Sequence, residues 1–372
     1  MRKVPELRFD GFDGEWEEKK LNNITSKFDN LRIPMKESLR TKGPYPYHGA
    51  TGIQDYVDDY IFDGEYILIA EDGAGDINNY PLQRVSGRFW VNNHAHVIQA
   101  KDSNNNDFIF YSLSKINFER YLVGGTRMKL NSSSMDGIIL LLTSENEQEK
   151  IGDLFRKLDD LIEIQEGKVS KMEDFKKSML QKMFPKKGEL VPEFRFDCFD
   201  GKREVNKISD ISNQFDRLRK PVKESLRIKG NYPYYGAAGI QDYVDKYIFD
   251  GEYVLIAEDG ASDILNYPVN YVNEKFRVNN HAHIIQAKEG YQTLFLSYSL
   301  KQIDFNPYLV GGTRKKLNAG SLERIKVKTP SIEEQEKIGN FFKNLDTQIE
   351  SEEKLLDSYK MMKKSLLQKM FV

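Results

Sequence analysis

The hydrophobic positions of this chain follow two different periods, and the change from one to the other happens twice. Up to about residue 143, and again from 188 to 330, short apolar runs are separated by Gly and Asn/Asp turns. Examples are Glu65-Tyr66-Ile67-Leu68-Ile69-Ala70 and Val91 to Ala100, which read as strands. One stretch, Asp107 to Leu122, carries Phe108, Tyr111, Leu113 and Ile116 and reads as a helix. Both parts are therefore expected to be α+β globular domains.

From residue 145 the apolar spacing becomes three and four. Ile151, Leu154, Leu158, Leu161, Gln165, Met172, Phe175 and Met179 form a stripe that Phe155, Ile162, Val169 and Met183 widen. Ile338, Phe341, Leu345, Leu355, Tyr359, Met362 and Leu366 repeat it near the C-terminus. This predicts two Pro-free helices with heptad seams, each spanning roughly 55 Å at about 1.5 Å per residue. Gln165 and Lys168, then Gln348 and Glu352, interrupt the seams with polar groups that set register. Each helix is expected to pair with the other; the alternative is a helix lying on its own domain's core. Pro185-Lys186-Lys187-Gly188 ends the first helix and leaves only a short linker. The expected organisation is a domain over 1–143, a helix over 144–184, a domain over 185–330 and a helix over 331–372.

The recurrence is literal. Shifted by 187 positions, the chain falls on itself, and Tyr45–Ile77 matches Tyr232–Ile264 at 28 of 33 positions. Val-Asn-Asn-His-Ala-His at 91–96 returns at 278–283, and Leu-Val-Gly-Gly-Thr-Arg at 122–127 returns at 309–314. A pseudo-twofold pairing of such copies makes the helices antiparallel, with a domain at each end of a rod.

Composition narrows the chemistry. A formal net charge of -2 gives no bulk attraction to nucleic acid, so any basic surface must be local. The single cysteine, Cys198, excludes an intramolecular disulfide and fits a reducing compartment. No apolar run follows Met1-Arg2-Lys3, and the longest aliphatic stretch, Ile138 to Leu142, is too short to span a bilayer. A cytoplasmic protein is expected.

His94/His96 and His281/His283 are spaced to share a strand face, which makes a metal site conceivable if Glu71-Asp72 and Glu258-Asp259 lie close. Structural histidines are the plainer reading. Gly124–Arg127 and Gly311–Arg314 lack the Gly-Lys-Ser/Thr of a phosphate-binding loop for nucleotides. A glycine pair that lets Arg and Lys approach a phosphate, or a plain tight turn, both fit. The segment Arg40 to Gln54, with its copy Arg227 to Gln241, mixes basic, aromatic and amide groups of the kind that contact phosphates and base edges. Asn306-Pro307-Tyr308 resembles half of an amino-methyltransferase motif, and Glu17-Glu18-Lys19 half of a nuclease motif. Neither survives in the other copy, so the chain reads as non-catalytic.

In its order of motifs the chain resembles the specificity subunits of type I restriction-modification systems. The resemblance rests on Val4-Pro5-Glu6-Leu7-Arg8-Phe9 with Trp16, the Val-Asn-Asn-His-Ala-His strand, and Gly-Gly-Thr-Arg followed by Lys129-Leu130-Asn131. It continues in Glu147-Gln148-Glu149-Lys150-Ile151 entering a helix that ends Leu180-Gln181-Lys182-Met183-Phe184, a run that Glu334 to Ile338 begins again. The resemblance implies two target-recognition domains that read the halves of a bipartite DNA site across a spacer set by the helices. It implies double-stranded DNA, two modification subunits and restriction subunits as partners. S-adenosylmethionine, Mg2+ and ATP would sit on those partners, with no cofactor or metal in this chain.

Expected DNA contacts are Arg40, Lys42, Tyr45, Tyr47, His48, Thr51, Gln54, Arg127 and Lys129. Their counterparts are Arg227, Lys229, Tyr232, Tyr234, Tyr235, Gln241, Arg314 and Lys316. In the family the two recognition domains usually differ strongly, whereas here they are near-twins, which implies a near-palindromic target. The expected differences between the two readers are His48 to Tyr235, Thr51 to Ala238, Asp59 to Lys246 and Gly75 to Ser262, with Leu82–Trp90 diverging from Val269–Arg277. A duplicated protein-docking scaffold and a metal-dependent enzyme built on the His-Ala-His pairs are the alternatives.

Overall fold

The computed structural model describes residues 3–72, 75–77, 79–125, 128–259, 266–312 and 315–372. In the first copy β1 (Glu17–Lys20) pairs antiparallel with β8 (Ile139–Leu142). A six-stranded sheet holds β2 (Thr25–Lys27), β3 (Lys42–Gly49), β4 (Gly52–Val57), β5 (Phe62–Ala70), β6 (Leu82–Val91) and β7 (Ala95–Ala100). Its order is β2-β7-β5-β6-β3-β4, antiparallel except where β3 and β6 run parallel at Tyr47–Trp90 and His48–Val91. The short helices are α1 (Leu21–Ile24), α2 (Asn106–Leu113) and α3 (Ser132–Asp136).

The unbroken apolar run of β5 is explained by burial on both faces. Ile67 and Ile69 pack with Phe108 and Ile109 of α2, while Leu68 joins Val85, Phe89 and Val97 on the other face. Gly64 and Gly87 stand opposite each other with φ of +136° and +80°, backbone that favours glycine. Phe62 and Phe89, partners in the β5–β6 register, stack with ring centroids 5.2 Å apart.

The second copy repeats the design. It comprises β9 (Glu204–Lys207), β10 (Ser212–Gln214), β11 (Lys229–Tyr235), β12 (Ile240–Val244), β13 (Phe249–Ala257), β14 (Val269–Val278), β15 (Ala282–Ala287) and β16 (Lys326–Thr329). Its large sheet runs β10-β15-β13-β14-β11-β12, and β16 pairs with β9. Its short helices are α5 (Ile208–Ile211), α6 (Thr293–Leu300) and α7 (Ala319–Glu323). The long helices are α4 (Glu145–Met183) and α8 (Ile332–Met370). Among the described residues no helix is long and apolar enough to cross a membrane.

Two compact units divide both long helices: residues 1–166 with 354–372, and residues 167–353. In the first unit, Lys363 pairs with Asp159 and Lys360 with Glu166 at 2.6 Å, so the helical segments run antiparallel. The end of α8 then buries Phe371 against Trp16, Phe108 and Phe155, at centroid distances of 6.2, 5.4 and 5.6 Å. In the second unit, Lys168 pairs with Glu352 at 2.6 Å and Lys176 with Asp346, again antiparallel. There the end of α4 sets Phe184 on Phe295 and Phe342. Each domain's core is thus completed by the last turns of the other repeat's helix.

The helix stripes depart from a uniform heptad seam. Ile151, Leu158, Ile338 and Leu345 are buried, and Leu154, Met172, Met179, Phe341, Tyr359 and Leu366 are partly so. Leu161, Phe175, Leu355 and Met362 are exposed, which corrects their assignment to the seam. Phe155, Gln165, Val169, Phe342 and Ile349 are buried instead. A strict heptad drifts about 20° per repeat around a straight helix, so the contacting stripe walks off those positions. The first turns also pack on the domain itself: Phe155 meets Tyr111 at 5.0 Å and Phe342 meets Tyr298 at 5.2 Å. Docking on the home domain and pairing with the other helix therefore coexist along one helix.

Two glycines of α4 test this packing. A Cβ on Gly152 would lie 2.5 Å from Asn105 Oδ1 and 3.1 Å from Phe108 N, whereas Gly167 has open space around it. Gly167→Ala is expected to stabilise by about 0.5–1 kcal/mol and Gly152→Ala to destabilise, as read by urea denaturation of the full chain. Equal effects at the two sites would contradict the close seating of α4 on α2.

Candidate functional site

Four chain segments meet where β5 ends. Arg32 donates to Glu71 Oε2 at 2.8 Å and to the Ala95 carbonyl at 2.9 Å. Asp29 accepts from the backbone N–H of Val97 at 2.9 Å and lies 2.6 Å from His96 Nδ1. The other nitrogen of His96 is 2.7 Å from the Leu130 carbonyl, and Leu130 N–H returns a 2.9 Å bond to the Glu71 carbonyl. Val123 and Lys129, on either side of the Gly-Gly-Thr-Arg motif, form an antiparallel bridge, and the Leu130 bonds clip this bridge to the sheet.

The outer surface of the clip is polar and half-exposed. Asp72 lies 2.6 Å from His94 Nδ1 and 3.1 Å from Lys129 Nζ. Asn92 accepts from the His94 N–H and donates to Gln54 Oε1 at 3.1 Å, tying in the β3–β4 hairpin. Gln54 lies across Gly49, where any Cβ would sit 2.2 Å from its Nε2. The second copy builds the same chain of contacts with Gln241, Asn279, His281, Asp259 and Lys316 over Arg219, Glu258, Asp216 and His283.

Electrostatics favours charged partners in the clip. Burial works against ionisation of His283, but the Asp216 hydrogen bond and charge, the Leu317 carbonyl and Glu258 together raise its pKa. Burial likewise opposes the charge on Asp216, and His283, the Ile284 N–H and Arg219 outweigh it and lower that pKa. With an acceptor at each ring nitrogen, the site suits the protonated form of His283, which donates at both.

The fold does bring carboxylates to the histidines, and Asp216, Glu258 and His283 place ligand atoms within 4.8 Å of one another. Arg219 already stands among them, 2.7 Å from Glu258 and 3.7 Å from Asp216. Its guanidinium supplies the positive charge that a metal would otherwise bring, so this constellation works as a structural clip.

The residues expected to touch DNA separate into three groups. Gln54, Lys129, Gln241 and Lys316 lie on the clip's outer surface, while Arg127 and Arg314 fall outside the described residues. Thr51 is exposed at the hairpin turn, and Lys42 and Lys229 are exposed at the hairpin's other end. Tyr45 and Tyr232 pack there on Tyr60 and Tyr247, at 5.0 and 4.9 Å.

The third group is internal, a correction to its reading as free contacts. Arg40 bonds the Met35 carbonyl and Asp55 and covers the buried Tyr47 ring at 4.2 Å; Arg227 makes the equivalent bonds to Val222 and Asp242 over Tyr234 at 4.6 Å. His48 is buried 2.8 Å from Gln83, and burial lowers its pKa. Tyr235 replaces it and donates to Glu274 at 2.7 Å. These side chains shape the hairpin from within. The clip residues Asp29 and Arg32 are not singled out by sequence reasoning; their signal is identity in both copies, as in Asp29-x-Leu31-Arg32 and Asp216-x-Leu218-Arg219.

The sequence profile of the type I restriction modification DNA specificity domain matches residues 13–174 and again residues 201–359. The chain belongs to this DNA specificity family. A putative type I restriction enzyme specificity subunit of Haemophilus influenzae is 28% identical over 92% of this chain and 90% of its own length. The EcoprrI specificity subunit of Escherichia coli is 31% identical over a shorter stretch, 32% of this chain and 28% of its own. The crystal structure of a type I S subunit from M. genitalium covers 99% of both chains at 17% identity with a TM-score of 0.79, a likeness of fold. As a specificity subunit, the chain serves DNA sequence recognition, and the clip with its duplicated outer surface is the candidate reading face.

The clip's stability has a defined pH window. The contribution of His283 is complete below the ordinary imidazole pKa and is lost as pH rises through its raised value; that of Asp216 is lost as pH falls through its lowered value. His283→Ala should therefore cost roughly 3 kcal/mol in mildly acidic buffer and clearly less at alkaline pH, in urea denaturation of the full chain. A cost that stays flat between the two conditions would rule out the ion pair as the clip's strength.

Proposed function

We propose that this specificity subunit directs adenine methylation and restriction to a bipartite, near-palindromic DNA site without performing chemistry itself. The observation that carries the reading is the reading face built twice from the same residues: Gln54, His94 and Lys129, then Gln241, His281 and Lys316. Equivalent faces prefer equivalent half-sites. Like readers that meet opposite strands of the duplex require half-sites that are inverse repeats.

On this reading the chemistry belongs to partners in the cytoplasm. Two modification subunits would carry S-adenosylmethionine, and restriction subunits would use Mg2+ and ATP. Leu161, Ile164, Met361 and Met362, exposed on the helices of the first unit, offer apolar surface for docking a partner subunit. Lys129 and Lys316 each keep an exposed ammonium beside an aspartate and suit a phosphate, while the Gln54 and Gln241 amides suit a base edge.

Methylome sequencing of a host with and without the gene should reveal a motif whose two halves are nearly inverse repeats. Two unrelated halves would overturn the symmetry. In binding assays, Lys129→Ala and Lys316→Ala should weaken all sequences alike and reduce the salt slope by about one unit each. Gln54→Ala should instead relax one position of one half-site, by roughly 1–3 kcal/mol.

A further inference from the structure

The two reading faces carry the same clip but different rims. Beside the clip the first copy has Asn30, Ile33, Trp90 and Met128; the second has Arg217, Lys220, Arg277 and Lys315. Four uncharged side chains are replaced by four cations. Their placement is tied to the clip in each unit: Arg217 follows Asp216, Lys220 follows Arg219, and Lys315 precedes Lys316. Arg277 joins the group through its Nε, which donates to the Lys220 carbonyl at 3.0 Å. Trp90 makes the same tether, its Nε1 donating to the Ile33 carbonyl at 2.7 Å, so an indole has been exchanged for a guanidinium on an unchanged scaffold.

Burial separates the two rims further. Arg217, Lys220 and Lys315 are exposed, and among the described residues neither Arg217 nor Lys220 is in an ion pair. Lys315 makes a single 3.2 Å bond, to the neutral amide of Asn306. On the first face, Ile33 is 52% and Met128 41% exposed, large apolar surface that has no affinity for a phosphate. Free ammonium and guanidinium groups beside a duplex neutralise phosphates and release counterions, a gain that depends on salt and not on sequence. Exposed isoleucine and methionine give apolar contact that salt does not screen.

We infer that the two domains hold DNA unequally: the second grips the backbone phosphates through Arg217, Lys220, Arg277 and Lys315, and the first relies on apolar and base-edge contact. This rests on the reading of the clip's outer surface as the DNA face. It also reconciles a near-neutral chain with DNA binding, since the local positive surface is concentrated on one domain's rim.

The test is fluorescence anisotropy of the full chain with a labelled duplex of random sequence over a series of salt concentrations. The variant R217N/K220I/R277W/K315M installs residues that the first copy already accommodates at the same places. It should lower the slope of log affinity against log salt by about three to four units, at about 0.9 for each phosphate no longer neutralised. The reciprocal N30R/I33K/M128K in the first copy should raise it by up to about three units on the same scale. The control is K202E/K326I, second-copy cations that stand where the first copy has Glu15 and Ile139, away from the clip. Wild-type binding with an unchanged slope in the fourfold variant, or an equal fall in the control, overturns the unequal grip. No binding by the wild-type chain even at low salt overturns the DNA reading on which it stands.

Discussion

A buried carboxylate at the start of each long helix organises everything attached to it. Glu147 is fully buried, and the guanidinium of Arg8 meets both its oxygens at 2.7 Å, with Thr143 bonded to it as well. In the second copy Glu334 takes Arg195 at 2.6 Å and Arg203 at 3.0 Å. A charge in that position is tolerable only when it is paired and hydrogen-bonded, so the N-terminal arm cannot leave without stranding it. The neighbouring glutamines finish the joint: Gln148 accepts from the Asn105 N–H ahead of α2, and Gln335 from the Gln292 N–H ahead of α6. Arm, helix and domain thus meet at one polar knot surrounded by apolar core.

Because that knot holds the helix entry, the far end of the other helix has a defined place to dock. Phe371 and Phe184 fill matching aromatic pockets, and the backbone of the arm adds the bonds Leu7 N–H to Lys369 and Phe194 N–H to Lys182, each 2.9 Å. The copies are not interchangeable in detail. Trp16 of the first pocket is Arg203 in the second, a buried guanidinium whose pKa burial lowers while Glu334 opposes the loss. The clip, by contrast, is preserved group for group, and variation gathers around its edge. The repeated support is constant, and the variation between the copies lies around it.

Much of this was legible because the chain states it twice. Strand runs, long helices and the entry motif stand out in composition and period, and family membership follows from the order of motifs. The internal roles of Arg40, Tyr47 and His48 were not legible, since basic and aromatic residues on a turn-rich segment look the same whether they face a ligand or brace a hairpin. What separates them is the fold of the 29–40 segment over β3, where the Met35 N–H and carbonyl bond Tyr47 and Arg40. The exposed Leu161 and Phe175 were misplaced for a similar reason: a heptad count assumes one seam along the whole helix, whereas the first turns also dock on the home domain.

By itself, the sequence determined the duplication, the element types and the kind of protein, because period, repeat and motif order are properties of a line of residues. Only the tertiary structure decided which polar groups face outward. The Asp29–His96 and Asp216–His283 pairs join residues 67 positions apart, and the histidines reach carbonyls 34 positions away. Such contacts depend on strand order and register, and no local pattern in the chain encodes them.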